Sequence, residues 1–260
     1  MSNVVLLHGL ANNEAVWSGL TGHWNPDVRI HAPRLPWHGG GITDWRHEQD
    51  STALLARVLD QVPGGADVVV AHSFSSVLLL DLLGRRAVAG DPLDVAGVVL
   101  VNPFYRSDAD DFHWDMIAPT LDDFPRTLAE SIRLRTPDRP IEADLLADMA
   151  RRMTEWIGPY GWLRFFEAYL RTPLFPVDLI TTPALVIGGE ADRSAPVEQA
   201  RRLAAALPSG QCLTVPDCGH FPMLERPEWF TAAVHDFLAH HPRRVRPPAL
   251  AAPSGPGRDA

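Results

Sequence analysis

Residues 67–76 read Asp-Val-Val-Val-Ala-His-Ser-Phe-Ser-Ser, an apolar β-branched run that ends on Ser73 and then opens a helix-like stretch. A strand turning this sharply into a helix presents a serine hydroxyl at the C-terminal edge of a sheet, provided the residues two before and two after it are small. Here they are Ala71 and Ser75, where the commoner pattern has glycine at both places. Extra atoms beside a strained corner cost of order 1 kcal/mol or more, and Ala and Ser are the smallest alternatives. Ser75 could also donate a hydrogen bond into the site. Read alone, Ser73 is equally a helix N-cap at a strand-to-helix junction. Its partners elsewhere in the chain have to decide.

Outward from this stretch, short β-rich runs bounded by Gly, Pro or Asp alternate with helical patterns, as in a parallel sheet flanked by helices. The expected strands are residues 3–8, 28–32, 67–72, 96–102, 183–188 and 211–215. Val68-Val69-Val70 and Val98-Val99-Leu100-Val101 are near-continuous apolar runs, suited to strands buried on both faces. Helical spacing is expected over 50–61, with Leu54, Leu55, Val58 and Leu59, and over Val77 to Leu83, which is apolar nearly all round. Helices over 196–207 and 227–240 begin at Pro196 and Pro227, residues suited to a first turn. The fold class expected is α/β: a mostly parallel central sheet flanked by helices.

The alternation breaks at 104–176, a stretch acidic at 108–115 and helical afterwards, which concentrates Trp114, Trp156, Tyr160, Trp162, Phe165, Phe166 and Tyr169. The expected organisation is therefore a core of residues 1–103 and 177–241, a helical cap over 104–176, and a Pro/Arg-rich tail over 242–260 too poor in large apolar side chains to offset its ordering entropy. As a group the aromatics suggest an apolar pocket under a lid, with Trp37, Trp114, Trp156, Tyr160 and Trp162 as substrate-binding candidates. Singly, each is as readily an ordinary core aromatic.

The chain has 260 residues, 46% of them hydrophobic, enough for one large core. The net charge of −9 and the lack of a basic stretch outside the tail exclude nucleic acid as an expected partner. No apolar stretch approaches the ~20 residues that span a bilayer, and the amino terminus shows no export signal, so a cytoplasmic protein without a membrane partner is expected. Cys212 and Cys218 are too few for a disulfide framework and read as reduced thiols. The eleven histidines fall in no metal-ligand spacing. The glycines at 39–41 do not follow a strand and open a helix as a phosphate loop must. No cofactor and no metal is expected, the partner is a small-molecule substrate, and oligomeric state carries no signal.

For Ser73 to attack a carbonyl it needs a base, an orienter for that base, and donors for the oxyanion. Asp217-Cys218-Gly219-His220-Phe221 follows the last expected strand and offers His220 as base. Gly188-Gly189-Glu190-Ala191-Asp192 ends the strand before it and offers Asp192 as orienter, in competition with Glu190, Asp217, Asp108 and Asp110. The turn His8-Gly9-Leu10 after the first strand supplies one oxyanion donor, so that the backbone N–H groups of Leu10 and Phe74 form the pair. His72 precedes the nucleophile and reads as structural; His8 reads as a brace for its loop.

The order Ser73, Asp192, His220, together with LLHGLANNEAVW, VVVAHSFSS, LVIGGEAD and DCGHFPMLERPEWF in register, resembles the α/β-hydrolase superfamily, in particular its compact esterase-like serine hydrolases with a helical cap. The resemblance covers about residues 3–240. A further family segment, usually D-x-P-G-H-G, stands here as Pro33-Arg34-Leu35-Pro36-Trp37-His38-Gly39-Gly40-Gly41, without the Asp and with Trp37 added. The resemblance implies a nucleophile elbow, an oxyanion hole and hydrolysis of a carboxylic ester or thioester of a small, partly apolar substrate through an acyl-enzyme. Acyl transfer, cyclisation, carbon–carbon cleavage or lyase chemistry with the same triad is the alternative, and a catalytically weak ligand-binding protein is another. The branch with an Asp nucleophile is disfavoured, because Ser73 occupies that position.

Overall fold

The computed structural model describes residues 2–38 and 48–241. The tail expected at 242–260 and the glycines expected as a turn at 39–41 lie outside them. Among the described residues six strands form one sheet: β1 (Ser2–Leu7), β2 (Val28–His31), β3 (Val68–His72), β4 (Gly97–Val101), β5 (Ala184–Gly189) and β6 (Gly210–Val215). They match the six expected runs to within two residues. Every pairing is parallel, in the order β2-β1-β3-β4-β5-β6.

Side chains on a strand alternate between faces, and here both faces are covered. Val5, Leu7, Val69, Ala71, Val98 and Leu100 join one apolar cluster, while Val4, Leu6, Val68, Val70, Val99 and Val101 join the other. That double burial is why these strands read as continuous apolar runs rather than alternating ones. The first cluster is closed by α1 (Ser51–Asp60), α2 (Phe74–Val88) and part of the helical stretch after β4; the second by the aromatic residues Trp17, Phe221, Phe230 and Phe237. α2 buries residues from Phe74 to Gly84 with no polar face, as its sequence led us to expect.

Two long helices, α3 (Trp114–Arg135) and α4 (Ala143–Leu170), lie between β4 and β5 and pack on each other. α4 breaks at Gly158, whose φ of 61° and ψ of 177° precede Pro159. α5 (Val197–Ala206) packs on β5 and β6, with Pro196 at its N-cap rather than in its first turn. A single turn, α6 (Pro222–Glu225), leads into α7 (Pro227–His240). No described helix is long and apolar enough to cross a membrane.

The strand order reverses between β1 and β3, and ligands of open α/β sheets bind outside the carboxyl ends of the strands at such a point. Pairing of Leu7 with Ala71 puts the loop after β1 beside the corner after β3. Buried His8 stands at this junction. Its Nδ1–H donates to Gly9 O at 2.9 Å and its Nε2 accepts the Leu35 N–H at 3.1 Å, so the ring is neutral and braces the loop. Burial lowers its pKa from 6.5 to about 4.

Two outcomes test this architecture. The unfolded chain binds a proton on His8 between pH 6.5 and about 4 that the folded chain refuses, so stability is complete above pH 6.5 and declines towards pH 4. The loss from this residue is about 3 kcal/mol; buried His72, also held well below its ordinary value, acts in the same sense. Urea midpoints that stay level from pH 7 to 4.5 would contradict it. Separately, a Cβ on Gly97 would lie 2.6 Å from two ring atoms of Phe237, so Gly97→Ala is expected to destabilise by about 1–3 kcal/mol through overpacking, measured by denaturant melts.

Candidate active site

Ser73 sits between β3 and α2 with φ 56° and ψ −120°, a left-handed backbone that non-glycine residues rarely adopt. It occupies the N-cap position of α2, yet its side chain makes no capping bond. Instead Oγ lies 3.0 Å from His220 Nε2. A capping serine would turn its oxygen to the helix amides.

The corner is held from several sides. The Ser73 N–H donates to Val101 O at 2.8 Å, and Ser76 Oγ donates to Ala71 O at 2.6 Å. A Cβ on Gly9 would stand 3.0 Å from both Ser73 Cβ and His72 Nδ1, so only glycine lets the β1 loop approach this closely. Ser75 does not point into the site as expected: Oγ donates to His8 O and accepts from Trp37 Nε1 at 3.1 Å. The hydroxyl that replaces the usual glycine thus ties the elbow to the loop after β1. Leu10 lies in that loop, whose turn is closed by Asn12 N–H to Gly9 O, and Phe74, the first residue of α2, directly follows Ser73.

His220 comes from the loop after β6. Its Nδ1 lies 2.7 Å from Asp192 Oδ2, and the other carboxylate oxygen, Oδ1, accepts the N–H groups of Ser194 and Ala195 at 2.8 and 3.0 Å. Ser73, His220 and Asp192 are all buried. The competing acids are engaged elsewhere or turned outward: Glu190 accepts from Thr214 and Arg201, Asp108 caps Asp110, and Asp110 and Asp217 are exposed.

The backbone around His220 is gripped by side chains. His72 Nε2–H donates to His220 O at 2.8 Å, Asn102 Nδ2 donates to Gly219 O at 3.0 Å, and Glu225 accepts the N–H groups of Gly219 and Phe221 at 2.8 and 3.0 Å. His72 is fully buried, and burial, ahead of its neighbour His220, pushes its pKa well down. Burial, reinforced by Glu225, raises the Cys218 thiol, which disfavours a thiolate there.

A cavity of about 440 Å³ opens beside His220 and Asp192, lined on the α3 side by Asp123, Arg126, Thr127, Glu130 and Arg133 and on the other by Arg193 and Ser194. α3 is tied across it: Thr127 Oγ1 and Ser194 Oγ are 2.6 Å apart, and Ser131 Oγ donates to Asn12 Oδ1 at 3.0 Å. Burial, then the neighbouring Glu225, raises the Glu130 carboxyl.

None of the five aromatic residues expected to bind substrate lines this cavity. On α4 the buried residues are Leu146, Ala150, Ile157, Gly161, Phe165 and Tyr169, the last four at steps of four. Trp156 and Tyr160 stand one position away and are half exposed, and Trp114 is 80% exposed on α3. Trp162 stacks on Phe166 at 5.9 Å and meets Phe124 edge-on at 4.7 Å. Buried Trp37 also donates to His8 O and packs on Phe74. The aromatic rings beside His220 are Phe221 at 5.2 Å and Phe104 at 6.1 Å, the latter in edge contact with Phe165 and Tyr169. Phe104 and Asn102 were missed; their place just beyond a strand's carboxyl end was the available signal. Among the described residues no group of three or more His, Cys, Asp or Glu is placed to hold a metal.

Known proteins agree with this architecture. The pimeloyl-[acyl-carrier protein] methyl ester esterase of Aromatoleum aromaticum is 29% identical over 261 residues, covering 91% of this chain and 98% of its own. The protein of the same name from Nitrosomonas europaea is 27% identical, covering 88% and 93%. These relatives are named as ester hydrolases, the reaction class expected from the sequence. The structure of a thermophilic esterase from Thermogutta terrifontis superposes with a TM-score of 0.58 at 21% identity, covering 93% of this chain and 91% of that one, and so shares the fold. The sequence profile of the alpha/beta hydrolase family matches residues 4–233, and the chain belongs to that family.

Proposed function

We propose that this protein hydrolyses a carboxylic ester of a small-molecule acyl group through an acyl-enzyme on Ser73. The observation that carries the reading is the continuous contact from Ser73 Oγ to His220 Nε2 at 3.0 Å and from His220 Nδ1 to Asp192 Oδ2 at 2.7 Å, with Ser73 on a strained corner.

Ser73 Oγ attacks the ester carbonyl carbon while His220 Nε2 takes its proton. Asp192 accepts the Nδ1–H, fixes the tautomer and stabilises the imidazolium; its second oxygen is held by the Ser194 and Ala195 amides. The tetrahedral oxyanion is received by the N–H groups of Leu10 and Phe74. Collapse breaks the bond to the alcohol oxygen, which takes the proton from His220. Water, deprotonated by the same nitrogen, then attacks the acyl carbon and releases the acid and free Ser73.

The relatives' names favour a methyl ester as the scissile group. The charged side chains of Asp123, Arg126, Glu130, Arg133 and Arg193 on the cavity beside His220, set among Ala129 and Ala191, favour a substrate that carries a polar or charged group near the ester. Residues 104–176, with α3 and α4, serve as the cap over this entrance.

Intact-mass analysis after a fluorophosphonate probe is expected to show one adduct on the native protein, none on Ser73→Ala, and a strongly slowed adduct on His220→Ala. Ester turnover by either variant should fall by about three orders of magnitude or more. Folded native protein that takes no adduct would overturn the proposal. Among esters, dimethyl pimelate is expected to have a higher kcat/KM than an unbranched fatty acid methyl ester of similar length; the reverse order would refute the polar-substrate reading while leaving the chemistry intact.

A further inference from the structure

Each proposed catalytic side chain stands on a different loop, and the distances among them have to be kept to within a few tenths of an ångström for proton transfer. Asn102 is placed to do this. It lies one residue beyond β4, is buried, and adopts φ 44°, a left-handed conformation that asparagine tolerates better than most residues. Its N–H donates to Ile187 O at 2.8 Å on β5.

Its side-chain amide is spent on two contacts. Oδ1 accepts the N–H of Gly189, which leads into the turn carrying Asp192, and Nδ2 donates to the carbonyl of Gly219, which immediately precedes His220, both at 3.0 Å. These two glycines approach so closely that a Cβ on Gly189 would overlap Gly219 O and Cys218 O. Ala191 N–H also donates to Cys218 O at 2.9 Å, so the acid turn and base loop are sewn together at this point. The preceding residue, Val101, accepts the Ser73 N–H at 2.8 Å. One dipeptide, Val101-Asn102, therefore touches the backbone of the nucleophile, of the acid turn and of the base loop.

Resting on the triad reading above, we infer that Asn102 is a positioning residue that fixes the base loop and acid turn relative to the nucleophile's strand. It touches no reacting atom, and its amide acts only through Gly189 and Gly219.

The test is Asn102→Gly, which removes the amide yet suits a positive φ, so backbone strain is not added. With folding checked by thermal melts, kcat is expected to fall by about 10- to 100-fold with KM within about twofold, and the rate of fluorophosphonate labelling should fall in parallel. Asn102→Asp, which keeps the volume and the acceptor for Gly189 but loses the donor to Gly219, is the second variant, and the same split between kcat and KM is expected at pH 7. A folded Asn102→Gly or Asn102→Asp protein that turns over and labels within about threefold of the native enzyme overturns this inference alone. So does a loss confined to KM or fully accounted for by the fraction unfolded. A native protein that neither labels nor cleaves esters overturns the serine-hydrolase reading, and this inference with it.

Discussion

The rest of the site depends on the backbone of one residue. Ser73 at φ 56° and ψ −120° carries strain of about 1–3 kcal/mol, tolerable only where the surroundings over-determine the conformation. They do so here through the Val101 carbonyl, through the Ser75 and Ser76 hydroxyls, and through a glycine at position 9 that lets a second loop press against the corner. The benefit of the strain is directional. A relaxed N-cap would aim Oγ back at the amides of α2; the strained corner aims it at His220 Nε2.

This corner can be rigid because the elements meeting there are. β3 is buried on both faces between β1 and β4, and α2 is buried nearly all round, so neither can tilt without disturbing both apolar clusters. The histidines behind the site follow the same logic. His8 and His72 are buried where a charge would be expensive, stay neutral, and spend their ring N–H groups on backbone carbonyls. Three histidines lie close together, yet only His220 has a carboxylate against one ring nitrogen and a hydroxyl against the other. That pairing distinguishes the proposed base from its neighbours.

The strands were legible in the sequence because double burial writes itself as unbroken Val and Leu runs, a local signal that needs no knowledge of partners. That Ser73, Asp192 and His220 come together was legible for a related reason. Each ends or follows a strand, so a strand assignment places each at the same edge of the sheet, and their order in the chain did the rest. What was not legible depends on rotation about a helix axis. Which of Tyr160, Trp162, Phe165 and Tyr169 faces inward follows from the phase of α4 after its break at Gly158, and that phase is set by packing on Phe104 and Phe124, far away in the chain. Ser75 was misjudged because the position of Trp37, its partner, could not be known from the sequence.

The cavity wall was hidden by a more general ambiguity. Asp123, Arg126, Thr127, Glu130 and Arg133 recur at steps of three and four, so they share one face of α3. In sequence such a polar stripe reads as a solvated surface, because nothing local tells water in bulk from water in a cleft. Here the stripe faces the Asp192 turn and is tied to it through Thr127 and Ser194, and Glu130 is buried enough for its carboxyl to hold its proton more tightly. The strand ends hold the proposed catalytic atoms through backbone-directed bonds that tolerate little change, while one face of an inserted helix supplies side chains that contact the cavity and carry none of the sheet.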